Sequence, residues 1–255
     1  MRDVLTLVLG VLTGVLSAAF GVGGAVLSTP GARVLGVSPL EAVGTTLPSI
    51  LPSAVAGTAR YWREGLVDWA VVASTAPVGV VAAVVGSLLS HEVPGEGHWL
   101  MVATAGLLGL TAARLTKGSP AAERSGDDGR RRSLAAAGAI GAGAGLLSGL
   151  LGVGGGAILL PGFLQVLRLP TKETVATSLA CVGILALPST VTHAFLGDID
   201  WRFATLLAVG VVPGARLGAA AALRASDRRL RLAVALALAV LAVFYGGSEL
   251  RSALG

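Results

Sequence analysis

Two glycine runs, Gly21-Val-Gly-Gly24 and Gly152-Val-Gly-Gly-Gly156, are the residues of this chain whose spacing carries the clearest chemical meaning. Each interrupts an apolar stretch about halfway along what reads as a hairpin. Glycine relaxes a helix, lets another backbone approach, and leaves N–H groups unpaired at the start of the helix that follows. Such amides, with the helix dipole behind them, make a site for an anion. The alternative is that the glycines only permit tight turns or small-residue packing. Two hydroxyl pairs, Thr45-Thr46 and Thr177-Ser178, come early in the next helix. They can bind the oxygens of an oxyanion without carrying charge, or bond to their own helix backbone. Arg216 lies well inside an apolar segment, eight residues from Arg224 at its end. Burial there costs roughly 2.5–3.5 kcal/mol, which a bound anion or a cavity would explain, as would snorkelling to the surface. The candidate substrate-binding set is therefore Gly21, Gly23, Gly24, Thr45, Thr46, Gly152, Gly154, Gly155, Gly156, Thr177, Ser178 and Arg216.

Bond-making chemistry has no comparable constellation. Paired catalytic carboxylates, a Ser/His nucleophile arrangement and clustered metal ligands are all missing from the sequence, so neither an enzyme nor a metal or cofactor site is expected. Cys181 is the lone cysteine and reads as a small core residue. Ser38-Pro-Leu-Glu41 is a capping-box pattern, and Glu173 follows Pro170-Thr171 in a similar way. Asp68 and Asp200 read as N-caps, each followed by a tryptophan, Trp69 or Trp201, suited to a membrane interface. His193 falls near the outer end of its helix, where it could titrate around neutral pH but reads first as interfacial, and no carboxylate stands mid-span to serve as a buried proton relay.

The elements that must position these residues are helices in lipid. Of the 255 residues, 54% are hydrophobic and 13% charged, about half the charged share of a soluble domain. The 37 glycines suit helices packed closely through small residues. Apolar stretches long enough to cross a core of about 30 Å predict helices at about 4–20, 40–61, 67–90, 99–115, 134–151, 173–196, 201–224 and 230–247. Two shorter pieces, about 25–36 and 156–167, follow the glycine runs and read as half-helices or re-entrant segments. No strand-like alternation of the barrel type is present. The first segment resembles a secretory leader, but its counterpart at 134–151 is internal, so it is read as a retained helix. A net charge of +5 is read as basic cytoplasmic loops, not as nucleic-acid binding.

The chain repeats itself. Residues 14–31 and 145–162 are identical at nine of eighteen positions, at an offset of 131. With one residue inserted the offset becomes 132, pairing Glu41 with Glu173, Thr45 with Thr177, Thr46 with Ser178, Tyr61 with His193, Asp68 with Asp200, Trp69 with Trp201 and Gly86 with Gly218. The halves are 1–115 and 134–255, joined by a polar linker at 116–133. If each half crosses an odd number of times, fourteen Lys and Arg side chains gather on one side and four on the other. The positive-inside rule then places the linker in the cytoplasm and both termini outside, with the halves in inverted topology. The expected fold is an all-α polytopic membrane protein of about eight transmembrane helices plus two short half-helices. Inverted halves are a recurrent plan of secondary transporters.

The paired glycine segments, each followed by a proline, then by a Thr-(Thr/Ser)-Leu helix and a Gly-x-(Ile/Val)-Asp-Trp element, resemble the TauE/SafE sulfite exporter family across essentially the whole chain. The resemblance implies a plasma-membrane permease for sulfite, an organosulfonate or a related sulfur anion. It carries the site over to the glycine segments and to Thr45-Thr46 and Thr177-Ser178. Ala25 breaks the fuller glycine run of the second half, and Val84 stands opposite Arg216. Protons are the candidate coupling ion, the bilayer and a small anion are the expected partners, and a homo-oligomer is compatible with the sequence. An anion channel of the same architecture and a non-transport membrane assembly subunit are the competing readings.

Overall fold

The computed structural model describes residues 2–90, 127–152 and 154–254, with single positions among 106–113. All regular structure among the described residues is helical: α1 (Arg2–Phe20), α2 (Ala25–Val34), α3 (Pro39–Arg63), α4 (Trp69–Leu89), α5 (Asp127–Leu151), α6 (Gly156–Gln165), α7 (Thr171–Leu196), α8 (Trp201–Arg224) and α9 (Asp227–Leu254). Most of the helix expected at about 99–115 lies outside the described residues. So does most of the linker, except that α5 begins at Asp127, inside the stretch read as the polar linker. Two aspartates at its start complement the positive end of a helix dipole, which favours this earlier beginning.

Among the described residues, five helices are long and apolar enough to cross a membrane: α1, α4, α5 from Leu134, α7 and α8. The outside of the bundle matches that solvent. Phe195 is 88% exposed and Val81 66% exposed, an apolar exterior that water would not favour.

Local chemistry sets the helix ends. Ser38 accepts from the Glu41 amide, and Glu41 Oε2 returns to the Ser38 amide and hydroxyl, completing the expected capping box. Asp68 accepts from the Ala70 and Val71 amides, and Asp200 from that of Phe203. The second-half analogue of the box does not form: Pro170 is the N-cap of α7 and offers no side-chain acceptor, so Glu173 has no hydroxyl partner to answer. Lys172 instead donates to the Leu223 carbonyl at the end of α8, 2.9 Å away, satisfying a last-turn carbonyl.

Glycine governs how the long helices pack. α1 runs alongside α8 and α5 alongside α4, with backbones close enough that side chains are excluded from the contact. A Cβ on Gly10 would sit 2.6 Å from the Leu207 carbonyl oxygen, and one on Gly14 would strike that of Val211. Adding 131 to an α1 position gives its counterpart in α5, and subtracting 132 from an α8 position gives its counterpart in α4. Under that exchange Gly10 on Leu207 becomes Gly141 on Thr75, Gly14 on Val211 becomes Gly145 on Gly79, and Gly218 on Val15 becomes Gly86 on Leu146. The same contacts are thus made twice, each time between one helix of each half. α3 and α7 cross through the core, Gly57 packing on Leu179 and Gly183 on Ala54.

Candidate functional site

Both glycine runs end a long helix and open a short one, α1 into α2 and α5 into α6. Gly21 and Gly23 have φ of 66° and 89°, and their counterparts Gly152 and Gly154 have 64° and 77°. The left-handed region is costly for any residue with a Cβ, which accounts for the shared Gly-x-Gly spacing. Gly155 is also left-handed, at 72°, whereas Gly24 is right-handed at −66°.

The two breaks meet. A Cβ on Gly154 would lie 3.9 Å from the Gly23 Cα, with Ile50 and its counterpart Val182 closing the other sides. A Cβ on Gly156 would strike the Val22 carbonyl, so the fuller glycine run of the second half lets its helix start against the first break.

What the breaks offer is backbone N–H. Val22, Gly23, Gly24, Ala25 and Val26 are buried, and their amides donate to no acceptor among the described residues; the first bonds of α2 come from Leu27 and Ser28 to the Gly24 carbonyl. The amides of Gly154, Gly155 and Gly156 are likewise buried and donate to none, α6 beginning its bonds with Ile158 and Leu159 to Gly155. Buried amides are nearly always paired, so this cluster of helix-start donors stands out. Thr13, not picked out from the sequence, joins it: its methyl packs on Gly24, and its hydroxyl is buried without a partner. A cavity of about 10 Å³ touches Val22, Gly23 and Gly24, room for roughly one water.

The hydroxyl pairs brace the breaks and loops more than they face open space. Ser178 donates to the Gly21 carbonyl at 2.7 Å, from one half to the other. Thr46 bonds back to Ala42, at 2.9 Å, and meets Thr29 at 3.1 Å. Thr45 accepts from the Asp200 amide at 2.9 Å, and Thr177 accepts from the Asp68 amide at 3.0 Å, so each holds the cap of a helix in the opposite half.

Arg216 stands apart from these residues, on the exposed face of α8 beside Leu217, which is 63% exposed. Its position two turns from Arg224 lets a long side chain reach the surface. Arg216→Gln is accordingly expected to leave the unfolding midpoint of the detergent-solubilised protein within about 2 °C of the parent's, the range of an ordinary surface change. A larger drop would mean that the guanidinium is held inside the bundle.

His193 corrects the interfacial reading. It is fully buried, with Nδ1 2.7 Å from Asp198 Oδ2 and Nε2 3.2 Å from the Gly149 carbonyl oxygen. The repeat held the signal: Tyr61, its counterpart, donates at 2.6 Å to the carbonyl of Ala18, the counterpart of Gly149. Among the described residues, no group of three or more His, Cys, Asp or Glu is placed to hold a metal ion.

Known proteins share this sequence pattern. The chain matches the family described as sulfite exporter TauE/SafE over residues 6–245. It is 31% identical over 243 residues to a probable membrane transporter protein of Xylella fastidiosa (strain 9a5c), covering 94% of this chain and 92% of that one. The probable membrane transporter protein YunE of Bacillus subtilis (strain 168) is 26% identical over 241 residues, covering 86% and 88%. The probable membrane transporter protein MJ0441 of Methanocaldococcus jannaschii is 23% identical over 259 residues, covering 94% of each. No solved structure matches significantly. With apolar helices outside, paired glycine breaks within and a family match across nearly its whole length, the chain is a membrane transporter and belongs to the TauE/SafE sulfite exporter family.

Proposed function

We propose that this chain is a secondary transporter that moves a small sulfur-containing anion, sulfite or an organosulfonate, across the plasma membrane by alternating access between two inverted halves. The observation that carries the proposal is the set of buried, unpartnered amides at Val22–Val26 and Gly154–Gly156, drawn from two half-helices whose N-terminal ends meet. An oxyanion offers acceptors in several directions and draws on both helix dipoles, while the described residues of the two breaks carry no full charge that would hold the anion too tightly to release. Exchange of equivalent contacts between α1/α8 and α4/α5 is what a two-fold relation between the halves gives, and the bias of Lys and Arg among the loops favours its lying as an inverted repeat. The basic loops then orient the linker to the cytoplasm and both termini outward.

Flux of labelled sulfite, taurine and sulfoacetate into proteoliposomes tests the reading. Saturable uptake with counterflow is expected for at least one of them. Absence of flux for every sulfur anion in either direction defeats the substrate assignment, and non-saturable flux without counterflow makes the protein a channel. Single cysteines placed at position 120 and near each terminus, labelled from one side of intact cells, test the orientation; termini that label only from the cytoplasm overturn it.

A further inference from the structure

The buried pair His193–Asp198 is not among the residues of the two glycine breaks. Its hydrogen bonds define how many protons it holds. The Gly149 carbonyl can only accept, so His193 Nε2 carries a hydrogen. The 2.7 Å contact between Nδ1 and Asp198 Oδ2 then needs a second proton between them, because a bare imidazole nitrogen and a carboxylate are both acceptors. With both contacts made as hydrogen bonds, the pair holds one proton more than neutral imidazole and free carboxylate together.

That proton ties three elements. His193 is on α7, Gly149 on α5, and Asp198 lies in the α7–α8 loop, whose carbonyl at Asp198 is 3.4 Å from the Thr45 hydroxyl of α3 and packs against Gly44. The first half has no equivalent. Tyr61 makes the same bond to Ala18, but Leu66 stands where Asp198 does, so the first half keeps the structural contact and lacks the exchangeable proton.

We propose that His193 and Asp198 form a proton-binding latch, closing the end of the bundle at which Arg2 and Asp200 lie and coupling anion movement to protons. Losing one proton leaves the ring a single hydrogen for two acceptors, Asp198 Oδ2 and the Gly149 carbonyl, so one of the two contacts opens and the tie between α5, α7 and the α7–α8 loop is broken. Thr45 and the Asp200 cap move with that loop, linking the latch to the start of α3 and α8. This rests on the permease reading above, in whose orientation the latched end faces outward.

Among the described residues, the helices around the pair carry few other ionisable side chains. α4, α6 and the stretch of α5 from Leu134 contain no ionisable side chain, and those of α7 are Lys172 and Glu173 at its far end and Cys181 midway. α3 brings Glu41, held in its capping box, while Arg60 and Arg63 are at its other end. α1 brings Arg2 and Asp3, the latter paired with Arg202 of α8; α9 begins with Asp227 and Arg228. Asp200, two residues along the loop, caps α8.

The test has two arms on the full chain in lipid nanodiscs and proteoliposomes. The chain has three histidines, so in ¹⁵N-histidine-labelled protein the signal lost in His193→Tyr identifies this one. His193 is expected to bear hydrogens on both ring nitrogens at acid pH and to lose one as the pH is raised across the transport range. A ring fixed in one protonation state throughout overturns the proposal, whether or not any anion is transported. In the second arm, the double variant His193→Tyr/Asp198→Leu copies the first-half pair and preserves the bond to Gly149. It is expected to keep sulfite counterflow but lose accumulation driven by an imposed pH gradient, up to about tenfold per unit for one coupled proton. Accumulation equal to the parent's overturns the latch. Absence of sulfite flux in the parent defeats the substrate reading instead and leaves the ring protonation to decide the latch.

Discussion

Gly154→Ala is expected to reduce anion flux by tenfold or more while the protein still inserts and purifies. The φ of 77° at this residue makes any Cβ costly, about 1–3 kcal/mol for a left-handed non-glycine residue. The added carbon would also lie 3.0 Å from Ile50 Cδ1 and 3.2 Å from Val182 Cγ1, at the place where the first break comes within 3.9 Å. Both effects push Gly154 away from Gly23 and disperse the amides meant to converge on one ion. A loss of about 1.4 kcal/mol in binding already gives a factor of ten. Gly156→Ala should act in the same direction by a different route, because its φ is not strained but its Cβ meets the Val22 carbonyl. Initial rates over a range of sulfite concentrations, with protein quantity matched by size-exclusion chromatography, decide the matter. Parent-like rates and half-saturation in Gly154→Ala would remove the convergent amides from the transport mechanism.

Helix positions were legible because lipid demands long uninterrupted apolar runs and the repeat supplied each run twice; α2, α6 and the crossing helices fall within a few residues of expectation. The glycine breaks were legible as breaks, since Gly-x-Gly twice in equivalent places is a backbone requirement written in residue type. Direction of side chains was not. Thr45 and Thr177 look like anion ligands from their spacing, yet each accepts a capping-loop amide from the opposite half, a contact whose partner lies more than a hundred residues away in sequence. Arg216 looked internal because apolar residues flank it, but a lipid-facing surface is as apolar as a core, so composition alone cannot tell the two faces of α8 apart. His193 was misread for the opposite reason: proximity to a helix end suggested exposure, whereas the loop carrying Asp198 folds over it.

Gly145→Val and Gly143→Val should behave very differently, though they differ by two positions on one helix. Gly145 faces α4, and a Cβ there would collide with the Gly79 carbonyl; Gly143 has nothing within 4 Å of that point. Lipid supplies no hydrophobic drive to hold two helices together, so α4 and α5 depend on the close contact that Gly141, Gly145 and Gly149 permit. Forcing them apart forfeits that contact, about 1–3 kcal/mol for an overpacked site, which corresponds to roughly 5–10 °C in the unfolding midpoint. Gly143→Val loses nothing in packing and gains from replacing a helical glycine, so its midpoint should stay at or slightly above the parent's. Gly14→Val supplies the decisive comparison, because Gly14 meets Val211 in α8 as Gly145 meets Gly79 in α4. Two halves built on exchanged contacts should be destabilised to a similar degree by either change. Thermal unfolding of the detergent-solubilised proteins, followed by tryptophan fluorescence, measures all three. A Gly145→Val protein as stable as Gly143→Val would mean that the α4–α5 seam is not closed by backbone contact, and a large effect of Gly145→Val with none of Gly14→Val would mean that only one of the two seams holds the bundle.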